Sequence, residues 1–356
     1  MQKKDVTIDL SVLAQKKSGV PVYVESLVDE LLKLESKKIN LNFISSTPIP
    51  IFEKKYKFKA FKNVGSYKRI FWENFFMSKQ IKSHIYHNPL FLLPRFGLSS
   101  KVKTVVTIHD LAFLEHEQSF NLRTKIYFKL FLRYSLKRAD VIIAISESTS
   151  DSIISFYPEF KNKIKVIYNG FNNLSIQAKS FNKNPIETSY FLQVGCTHKR
   201  KNLDISINNY LKLRKTHNIG IVLVGTNDYQ KNLYKNIPGI IFLDNISETE
   251  LYHLYKNAIA TLYPSQYEGF GFPILEAMSS GCPVICSNIP SSKEISNLDD
   301  SFMFDICNPN DIFYHMKKII DDKNYRDKLI ALGYKRVDFF SWRKMAEDVL
   351  TLYESL

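Results

Sequence analysis

The sequence predicts an α/β protein built from two doubly wound parallel-sheet domains of similar size. At 356 residues, the chain exceeds the roughly 250–300 residues at which a single core stops growing. Apolar, β-rich runs alternate with helical periods through both halves, which is typical of a parallel sheet covered by helices. We therefore expect an N-terminal domain over residues 1–175 and a C-terminal domain over residues 187–340, with a helix at about 341–356 packing back onto the first.

This alternation predicts strands in both halves of the sequence. In the first half, "KVKTVVTIHDL" ends a strand at His109 and Asp110, and "ADVIIAISEST" and "KIKVIYNGF" supply two more. In the second half, the predicted strands are "SYFLQVG", "IGIVLVG", "GIIFLDN", "AIATLYPS" and "PVICSN". The polar segment from Asn172 to Thr188 lacks periodicity and contains Pro185, so we interpret it as the interdomain linker.

Composition limits the class of protein. Apolar residues make up 45% of the chain, an ordinary globular share, and no apolar run reaches the ~18 residues of a membrane-spanning helix. The first residues alternate apolar and polar positions, which predicts a strand and not a signal peptide. The four cysteines lack C-x-x-C spacing, which predicts free thiols in a cytoplasmic protein; they are Cys196, Cys282, Cys286 and Cys307.

The excess positive charge lies in the first half. Residues 1–180 hold 29 Lys and Arg against 15 Asp and Glu, whereas the remainder holds 20 of each. Basic residues alternate with aromatic ones over residues 53–86, and again in the helical pattern from Arg123 to Arg138. Such segments favour either contact with an anionic membrane surface or a core whose lysines reach the solvent, and the sequence leaves both open.

Two cations in the second half follow a predicted strand. In "VGCTHKRKN" the strand ends at Gly195, and the loop brings Arg200 and Lys201 to the start of the helix "NLDISINNYLKL". Unpaired backbone N–H groups at a helix N-terminus bind phosphate oxygens, and so does a guanidinium fork. The pattern therefore predicts an anion site, and the alternative is a solvated basic turn.

Two acids flank a glycine turn in "YPSQYEGFGFPILEAMSSG". Gly269 and Gly271 allow close approach of a ligand to the backbone, and Pro273 suits the first turn of the helix that follows. Glu268 and Glu276 would then face one ligand across the mouth of that helix, where carboxylates accept hydrogen bonds from sugar hydroxyls. The alternative is a capped surface helix with two solvated glutamates.

This stretch resembles the E-x7-E motif of the retaining glycosyltransferases of family 4, nucleotide-sugar enzymes with the GT-B fold. The resemblance continues, in the family's usual order, through "TIHDL", "ADVIIAISESTSDSI", "KIKVIYNGF", the "RKN" loop, "LVG" and "SNIPSSKEI", and it covers the chain roughly from Gly19 to Glu294. It implies two facing Rossmann-like domains with the active site in the interdomain cleft. It also implies transfer of a hexosyl unit, with retention of anomeric configuration, to a glycan or lipid-linked glycan in O-antigen or capsule synthesis.

The resemblance implies a role for each motif residue. Glu268 would contact the donor sugar, and Glu276 the ribose hydroxyls. Arg200 and Lys201 would hold the diphosphate. His109 would lie across the cleft near the reacting centre as a positioning and charge-stabilising group. The other implied donor-side positions are Gly19, Gly225, Ile246, Leu251, Gly269, Phe270 and Gly271.

The chemistry requires positive charge beside the leaving phosphate. Many transferases hold a metal ion there with a D-x-D motif, which this sequence lacks. Arg200 and Lys201 can supply the charge, so we expect neither metal nor cofactor. The resemblance implies that the leaving phosphate takes the acceptor proton. The "TIHDL" and "RKN" variants resemble those of bacterial polysaccharide mannosyltransferases and related transferases, which implies a GDP-mannose-type or other hexosyl donor, GDP- or UDP-linked. Because "HIYHNPLFLLP" ends another predicted strand, His87 and Asn88 join Asp110 as acceptor-side candidates.

Other functions stay open at this stage. Basic patches with aromatic residues also suit nucleic-acid binding, but the E-x7-E motif and the neutral second half oppose it, so we expect no nucleic-acid partner. A GT-B sugar-nucleotide epimerase would act on the donor without an acceptor. A non-catalytic nucleotide-sugar binding protein would be expected to lack Glu268, Arg200 or Lys201, and all three are present. We expect the protein in the cytoplasm or on the inner face of the cytoplasmic membrane.

Overall fold

The structure is a computed structural model that describes residues 3–14, 19–49, 59–60, 73–115, 122–173, 186–308 and 310–356. The chain divides into two compact units, one formed by Met1–Gly170 with Ser341–Leu356 and the other by Phe171–Phe340. The division falls close to the predicted boundaries, and the last segment of the chain belongs to the first unit. Most of the predicted linker, residues 174–185, lies outside the described residues.

The strands are short and largely buried, as expected of parallel sheets with both faces covered. They are β1 (Lys4–Asp9), β2 (Ile39–Ser45), β3 (Lys59–Ala60), β4 (Ile85–Asn88), β5 (Lys103–Ile108), β6 (Val141–Ala144), β7 (Ile164–Val166), β8 (Tyr190–Val194), β9 (Gly220–Val224), β10 (Ile240–Leu243), β11 (Ala260–Tyr263) and β12 (Val284–Cys286). The five strands predicted in the first half are β1, β4, β5, β6 and β7, and the five of the second half are β8 to β12. All ten predictions are confirmed.

Helices connect these strands. They are α1 (Gly19–Lys33), α2 (Ala112–Glu115), α3 (Leu122–Arg138), α4 (Glu147–Phe156), α5 (Leu203–Leu213), α6 (Asp228–Tyr234), α7 (Glu248–Asn257), α8 (Phe272–Ser279), α9 (Pro290–Ser296), α10 (Asp311–Asp321), α11 (Lys323–Val337) and α12 (Trp342–Ser355). Shorter helical turns lie at Ser11–Ala14, Glu73–Met77, Ser78–Gln80, Pro158–Lys163, Lys199–Lys201 and Asp300–Phe302. In the described parts of the chain, no helix is long and apolar enough to cross a membrane.

The first unit is a parallel sheet covered on both faces. Its described strands are ordered β3-β2-β1-β4-β5-β6-β7. Successive residues of a strand point to opposite faces, and accordingly Val105 joins one buried cluster and Val106 the other. The first cluster includes Tyr23 of α1 and Tyr353 of α12, because these two helices pack against each other. The end of the chain is thus part of the first unit's core.

The second unit repeats the arrangement with the order β10-β9-β8-β11-β12. In both sheets the strand order reverses once, between β1 and β4 in the first and between β8 and β11 in the second. Open α/β sheets bind ligands at such reversals, beyond the carboxyl ends of the strands. The loop that follows β8 contains the predicted cations. The loop that follows β11 contains Glu268 and leads into α8, which contains Glu276, so the topology brings these residues to one edge of the sheet.

Candidate functional site

Arg200 and Lys201 lie in the loop that leaves the carboxyl end of β8. Both belong to a 3-10 turn, and Asn202, with a φ of 53°, connects that turn to α5. Gln193 Nε2 donates to the Lys201 carbonyl at 2.9 Å, and Gln266 N donates to the Arg200 carbonyl at 2.8 Å. The loop is therefore tied both to its own strand and to the loop after β11.

Glu268 pairs with both cations. Its Oε2 lies 2.6 Å from Arg200 Nη1, and its Oε1 lies 2.6 Å from Lys201 Nζ. Arg200 Nη1 also donates to the Tyr267 carbonyl at 3.0 Å. The sequence predicted separate ligand contacts for the acid and the two cations, whereas the structure joins the three side chains in one ion-paired group. We call Arg200, Lys201 and Glu268 the Glu268 cluster.

The Glu268 cluster is largely enclosed. Lys201 and Glu268 are each 8% exposed, and Lys201 Nζ lies 4.8 Å from the centroid of the Tyr263 ring, whose face attracts a cation. Burial raises the pKa of Glu268, but Lys201 and Arg200 outweigh it and hold that pKa below its usual value. The carboxylate is therefore ionised at neutral pH. The cluster carries one net positive charge, which suits an anionic ligand.

The turn between the two acids has a glycine in a left-handed backbone conformation. Gly271 has a φ of 118°, a conformation that a residue with a Cβ rarely adopts. The next residue, Phe272, begins α8 with Pro273 in the first turn, so the predicted helix start is confirmed. Gly269 is buried, and the buried Phe270 ring packs 5.1 Å from the ring of Phe272. The Phe270 side chain is thus directed into the protein, and contact between the peptide groups of the turn and a ligand stays a prediction.

Glu276 lies one turn inside α8 and meets a residue of α7. Tyr255 Oη donates to Glu276 Oε2 at 2.9 Å. The tyrosine is fully buried, whereas the glutamate is partly exposed. The pKa of Glu276 is raised, mainly because the carboxyl group is buried, and the nearby charge of Glu248 adds to this effect. The hydrogen bond from Tyr255 and the charge of Lys201 act in the opposite direction and lower the pKa. The second acid thus combines an internal hydrogen-bond donor with a residue that is only partly exposed.

Three other predicted donor-side residues follow neighbouring strands of the second sheet. Gly225 comes directly after β9 with a φ of 71°, and its carbonyl accepts from Thr197 Oγ1 at 2.8 Å. Ile246 and Leu251 flank Ser247, whose side chain caps α7. Both apolar side chains are half-buried. They lie after β10, where their contact with a nucleotide base stays a prediction.

His109 follows β5 in the first unit. Its Nε2 lies 2.8 Å from the Pro89 carbonyl oxygen, so Nε2 carries the proton and donates it. The ring is buried edge-on against Tyr23, with 4.9 Å between centroids. Burial lowers the pKa of His109 to about 4, so the ring is neutral at pH 7 and Nδ1 is a hydrogen-bond acceptor. A neutral ring can position a hydroxyl group through Nδ1, and the expected positioning and charge-stabilising role of His109 in the reaction stays a prediction.

His87 is wrong as an acceptor-side candidate. It has no exposed surface, and both ring nitrogens are engaged inside the first unit. Nδ1 lies 2.5 Å from Tyr353 Oη, and Nε2 lies 2.8 Å from Thr107 Oγ1. Burial, with a smaller effect from His109, lowers the pKa of His87 to about 3. The residue is a structural link between β4, β5 and α12, and no sequence spacing announces that link.

The remaining first-unit candidates lie at chain turns. Asn88 Oδ1 accepts from Leu90 N at 2.8 Å, and Asp110 Oδ1 accepts from Ala112 N at 3.0 Å where α2 begins. Both are half-buried, and their contact with an acceptor stays a prediction. Gly19 is exposed at the start of α1. Residues 15–18, which precede it, lie outside the described residues.

The described cysteines are free thiols, as predicted. Cys196, Cys282 and Cys286 are buried and Cys307 is exposed. Burial raises the pKa of each buried thiol to about 12, so these thiols stay protonated at neutral pH. Within the described ranges, no group of three or more His, Cys, Asp or Glu side chains is arranged to hold a metal ion.

Two tyrosines of the second-unit site were missed by the sequence reasoning. Tyr255 lies 21 residues before the glutamate that it contacts, and Tyr263 contacts a lysine from a different loop. Neither pair has a spacing that a helix or strand repeat would produce. Only the position of Tyr263, at the end of a predicted strand, was a signal that could have drawn attention to it.

Two protein families match consecutive parts of the chain. Residues 18–173 match the family described as Glycosyltransferase Family 4, and residues 176–336 match the family described as Glycosyl transferases group 1. An O-antigen chain mannosyltransferase of Salmonella typhimurium is 35% identical over 196 residues, 53% of this chain and 53% of that protein. O-antigen chain mannosyltransferase B of Escherichia coli is 26% identical over 302 residues, 78% of this chain and 76% of that protein. The chain thus spans about half the length of the first relative and about three quarters of the second.

Solved structures share the architecture. Sucrose-phosphate synthase from Thermosynechococcus elongatus superposes with a TM-score of 0.75 at 17% identity, covering 99% of both chains. WaaG, a glycosyltransferase involved in lipopolysaccharide biosynthesis, superposes with a TM-score of 0.71 at 13% identity, covering 97% of this chain and 98% of that one. At such identities the likeness concerns the fold. It confirms the predicted GT-B class with two Rossmann-like, parallel-sheet domains.

Proposed function

Because this chain belongs to the family 4 and group 1 glycosyltransferases, we propose that it transfers a hexosyl unit from a nucleoside-diphosphate sugar to a glycan or lipid-linked glycan acceptor. The observation that carries the proposal is the Glu268 cluster, a buried site with one net positive charge where the second sheet reverses its strand order. The names of the two relatives above support mannose as the sugar and O-antigen synthesis as the pathway. GDP as the nucleotide rests on the resemblance of the "TIHDL" and "RKN" motifs.

The second unit supplies the donor site in this proposal. Arg200 and Lys201 hold the diphosphate at the head of α5, whose unpaired backbone N–H groups also favour an anion. Glu268 accepts from hydroxyls of the sugar, and Glu276 accepts from the ribose. The peptide groups around Gly271 lie against the ligand between them. The buried, preorganised ion pairs support this assignment, because they hold the charged groups in place before the donor arrives.

The reaction exchanges one bond at the anomeric carbon. The bond to the diphosphate oxygen breaks, the acceptor oxygen bonds to the same face of that carbon, and the acceptor proton passes to the departing phosphate. Anomeric configuration is thereby retained. His109 Nδ1, neutral at pH 7, accepts a hydrogen bond from a substrate hydroxyl and fixes its orientation.

We propose that this step needs no metal ion. Arg200 and Lys201 stand where negative charge develops on the leaving phosphate, and fixed charges in a buried site are worth several kcal/mol to such a transition state. A divalent cation would compete with them for the same oxygens. Transfer activity in excess EDTA, equal to that with added Mg²⁺, is the expected result. A loss of activity that Mg²⁺ restores would contradict the proposal.

The first test is thermal stabilisation by GDP-, UDP-, ADP- and dTDP-sugars with EDTA present. A ligand that binds only the native state at 100 times its Kd adds about 2.7 kcal/mol of stability, and GDP-mannose is expected to give the largest shift. Lys201→Ala should abolish the shift while the protein remains folded. Product analysis without acceptor distinguishes the transferase from an epimerase. Absence of any shift with folded protein would overturn the proposal and favour a protein that no longer binds a donor.

A surface of the first unit combines exposed aromatic rings with adjacent cations, which supports the proposal of a membrane-bound acceptor. Phe76 and Phe96 are 49% and 47% exposed, and Phe96 stacks on Phe75 at 4.6 Å between centroids. Lys79 lies over the Phe76 ring at 6.0 Å and Arg95 over the Phe96 ring at 5.7 Å. We call these five residues the aromatic patch. Most of the predicted basic aromatic stretch, residues 53–58 and 61–72, lies outside the described residues.

We propose that the aromatic patch contacts an anionic bilayer, where exposed rings enter the interface and each nearby cation contributes about 1 kcal/mol. The wild-type protein should sediment with vesicles of phosphatidylglycerol and phosphatidylcholine, and less with phosphatidylcholine alone or at high salt. The double variant Phe76→Ser, Phe96→Ser should lose this binding. Tyr229→Ser is the matched control, because Tyr229 is 75% exposed in the electrically neutral half. Equal binding by all three proteins would contradict the proposal.

A further inference from the structure

The carboxyl group of Glu276 has one hydrogen-bond partner among the described residues, the hydroxyl of Tyr255. The 2.9 Å bond engages Oε2. A carboxylate has two oxygens and about four lone-pair sites. The tyrosine therefore occupies one site and fixes the plane of the carboxyl group. Oε1 and the second lone pair of Oε2 are left for a ligand, on a residue that is partly exposed.

Tyr255 is built to be a permanent donor. Tyr255 belongs to α7 and its ring is completely buried, so it cannot rotate away without displacing core residues. Burial, reinforced by the charge of Glu276, raises the pKa of the phenol well above its usual value, so the hydroxyl keeps its proton. The acceptor is a carboxylate, and hydrogen bonds to charged groups are about twice as strong as neutral ones. The bond therefore persists whether or not a ligand is present.

Two vicinal hydroxyl groups can donate hydrogen bonds to the lone pairs of the Glu276 carboxylate that Tyr255 does not occupy. A carboxylate can accept from both hydroxyls of a ribose when its plane is aligned with them, and a freely rotating carboxylate loses that alignment for much of the time. We infer that Tyr255 is a positioning residue that orients Glu276 to accept from the 2′- and 3′-hydroxyls together, and so selects ribonucleotides over 2′-deoxyribonucleotides. The inference rests on the proposed function, since it assumes that Glu276 holds the ribose of the donor nucleotide.

Calorimetric titration of the whole protein with GDP, 2′-deoxy-GDP, UDP and 2′-deoxy-UDP tests this inference. The wild type should prefer the ribonucleotide of its donor base by at least about tenfold, the equivalent of 1.4 kcal/mol. Tyr255→Phe should weaken ribonucleotide binding about 3- to 10-fold and leave the deoxynucleotide within a factor of two. A merely structural role would weaken both nucleotides alike. In transfer assays the KM of the donor should rise while kcat stays unchanged.

Tyr190→Phe is the matched control. Tyr190 is also fully buried in the second unit, and its hydroxyl donates to the Leu254 carbonyl at 2.9 Å, next to Tyr255 in α7. This variant removes a buried phenol hydroxyl without touching Glu276, so the preference for ribose should be unchanged. Equal weakening of ribo- and deoxynucleotide by Tyr255→Phe, or no weakening, would overturn the inference while the proposed function stands. Failure of the folded wild type to bind either ribonucleotide would overturn both.

Discussion

Tyr353 Oη in α12 lies 2.5 Å from His87 Nδ1 in β4, and this contact joins the last helix to the first unit's sheet. The line of buried polar groups continues from His87 Nε2 to Thr107 Oγ1 at 2.8 Å, and from there to Tyr23 Oη at 3.3 Å. Tyr23 in turn packs edge-on against His109. The end of the chain therefore supports the first-unit residue that we propose to contact substrate.

Removing the first hydroxyl of this line should destabilise the first unit. Tyr353→Phe leaves one nitrogen of the buried His87 ring without a partner, which costs about 1–3 kcal/mol. The midpoint of urea unfolding measures the loss. Tyr134→Phe is the control, because the Tyr134 hydroxyl donates to the Arg95 carbonyl at an exposed position. The control should change the free energy of unfolding by less than about 0.5 kcal/mol. Similar losses in both variants would contradict a special role for the buried pair.

Acid should destabilise the protein before its carboxylates titrate. The folded pKa values of His87 and His109 are about 3 and about 4, below the ordinary value of 6.5. As the pH falls, these two histidines therefore bind protons in the unfolded chain before they do so in the folded protein. Their contribution to the free energy of unfolding is fully present above about pH 6.5 and is lost as the pH drops towards 4. The loss approaches about 1.4 kcal/mol per pH unit for each histidine.

The variant His109→Gln isolates one of these two protons. Its free energy of unfolding, measured by urea titration from pH 7 to pH 4.5, should fall less steeply than that of the wild type. The slopes of the free energy of unfolding against pH should differ by nearly the equivalent of one bound proton, about 1.4 kcal/mol per pH unit. Parallel curves for the two proteins would show that His109 is not held neutral in the folded state.

Neutralising Glu268 should separate anion binding from transfer. Glu268→Gln raises the net charge of the Glu268 cluster from one to two, so inorganic diphosphate should bind about tenfold more tightly, equivalent to 1.4 kcal/mol. Transfer should nevertheless fall, because the carboxylate that contacts the sugar is gone. Calorimetry with diphosphate and the kcat/KM of transfer measure the two effects.

Lys201→Met is the companion to this experiment, since it removes a cation from the same cluster and should weaken diphosphate binding. Circular dichroism establishes that both variants are folded, a necessary check because breaking a buried ion pair costs about 3–5 kcal/mol. If Glu268→Gln weakens diphosphate binding as much as Lys201→Met does, the glutamate positions the cations and does not compete with the anion.

A side chain at position 170 should not be tolerated. A Cβ on Gly170 would lie 2.1 Å from Trp342 N and 2.5 Å from its Cα, inside the backbone at the start of α12. Gly170→Ala should therefore displace that helix and destabilise the first unit by at least about 2 kcal/mol, measured by urea unfolding. Trp342→Phe leaves the backbone in place and should cost less. A larger loss in Trp342→Phe would assign the tight packing to the indole ring instead.

Local patterns predicted most of what lies along the chain. The strands β5 to β12 and the start of α8 at Phe272 follow from apolar runs, turn residues and Pro273. The positions of His109, Arg200 and Glu268 at strand ends follow as well, because parallel strands place their carboxyl ends at one edge of a sheet. Each of these features depends on residues within about ten positions of one another, which is the range that periodicity describes.

The sequence by itself thus determined the α/β class, the order of the elements and the residue types available at each strand end. Tertiary structure alone decided their partners. It paired Glu268 with Arg200 and Lys201, placed Tyr255 on Glu276, and enclosed His87 between Thr107 and Tyr353. These contacts join residues between 20 and 266 positions apart. They depend on strand order and on how helices pack over the sheet, which no local period encodes; burial at those contacts then sets the charge of each group.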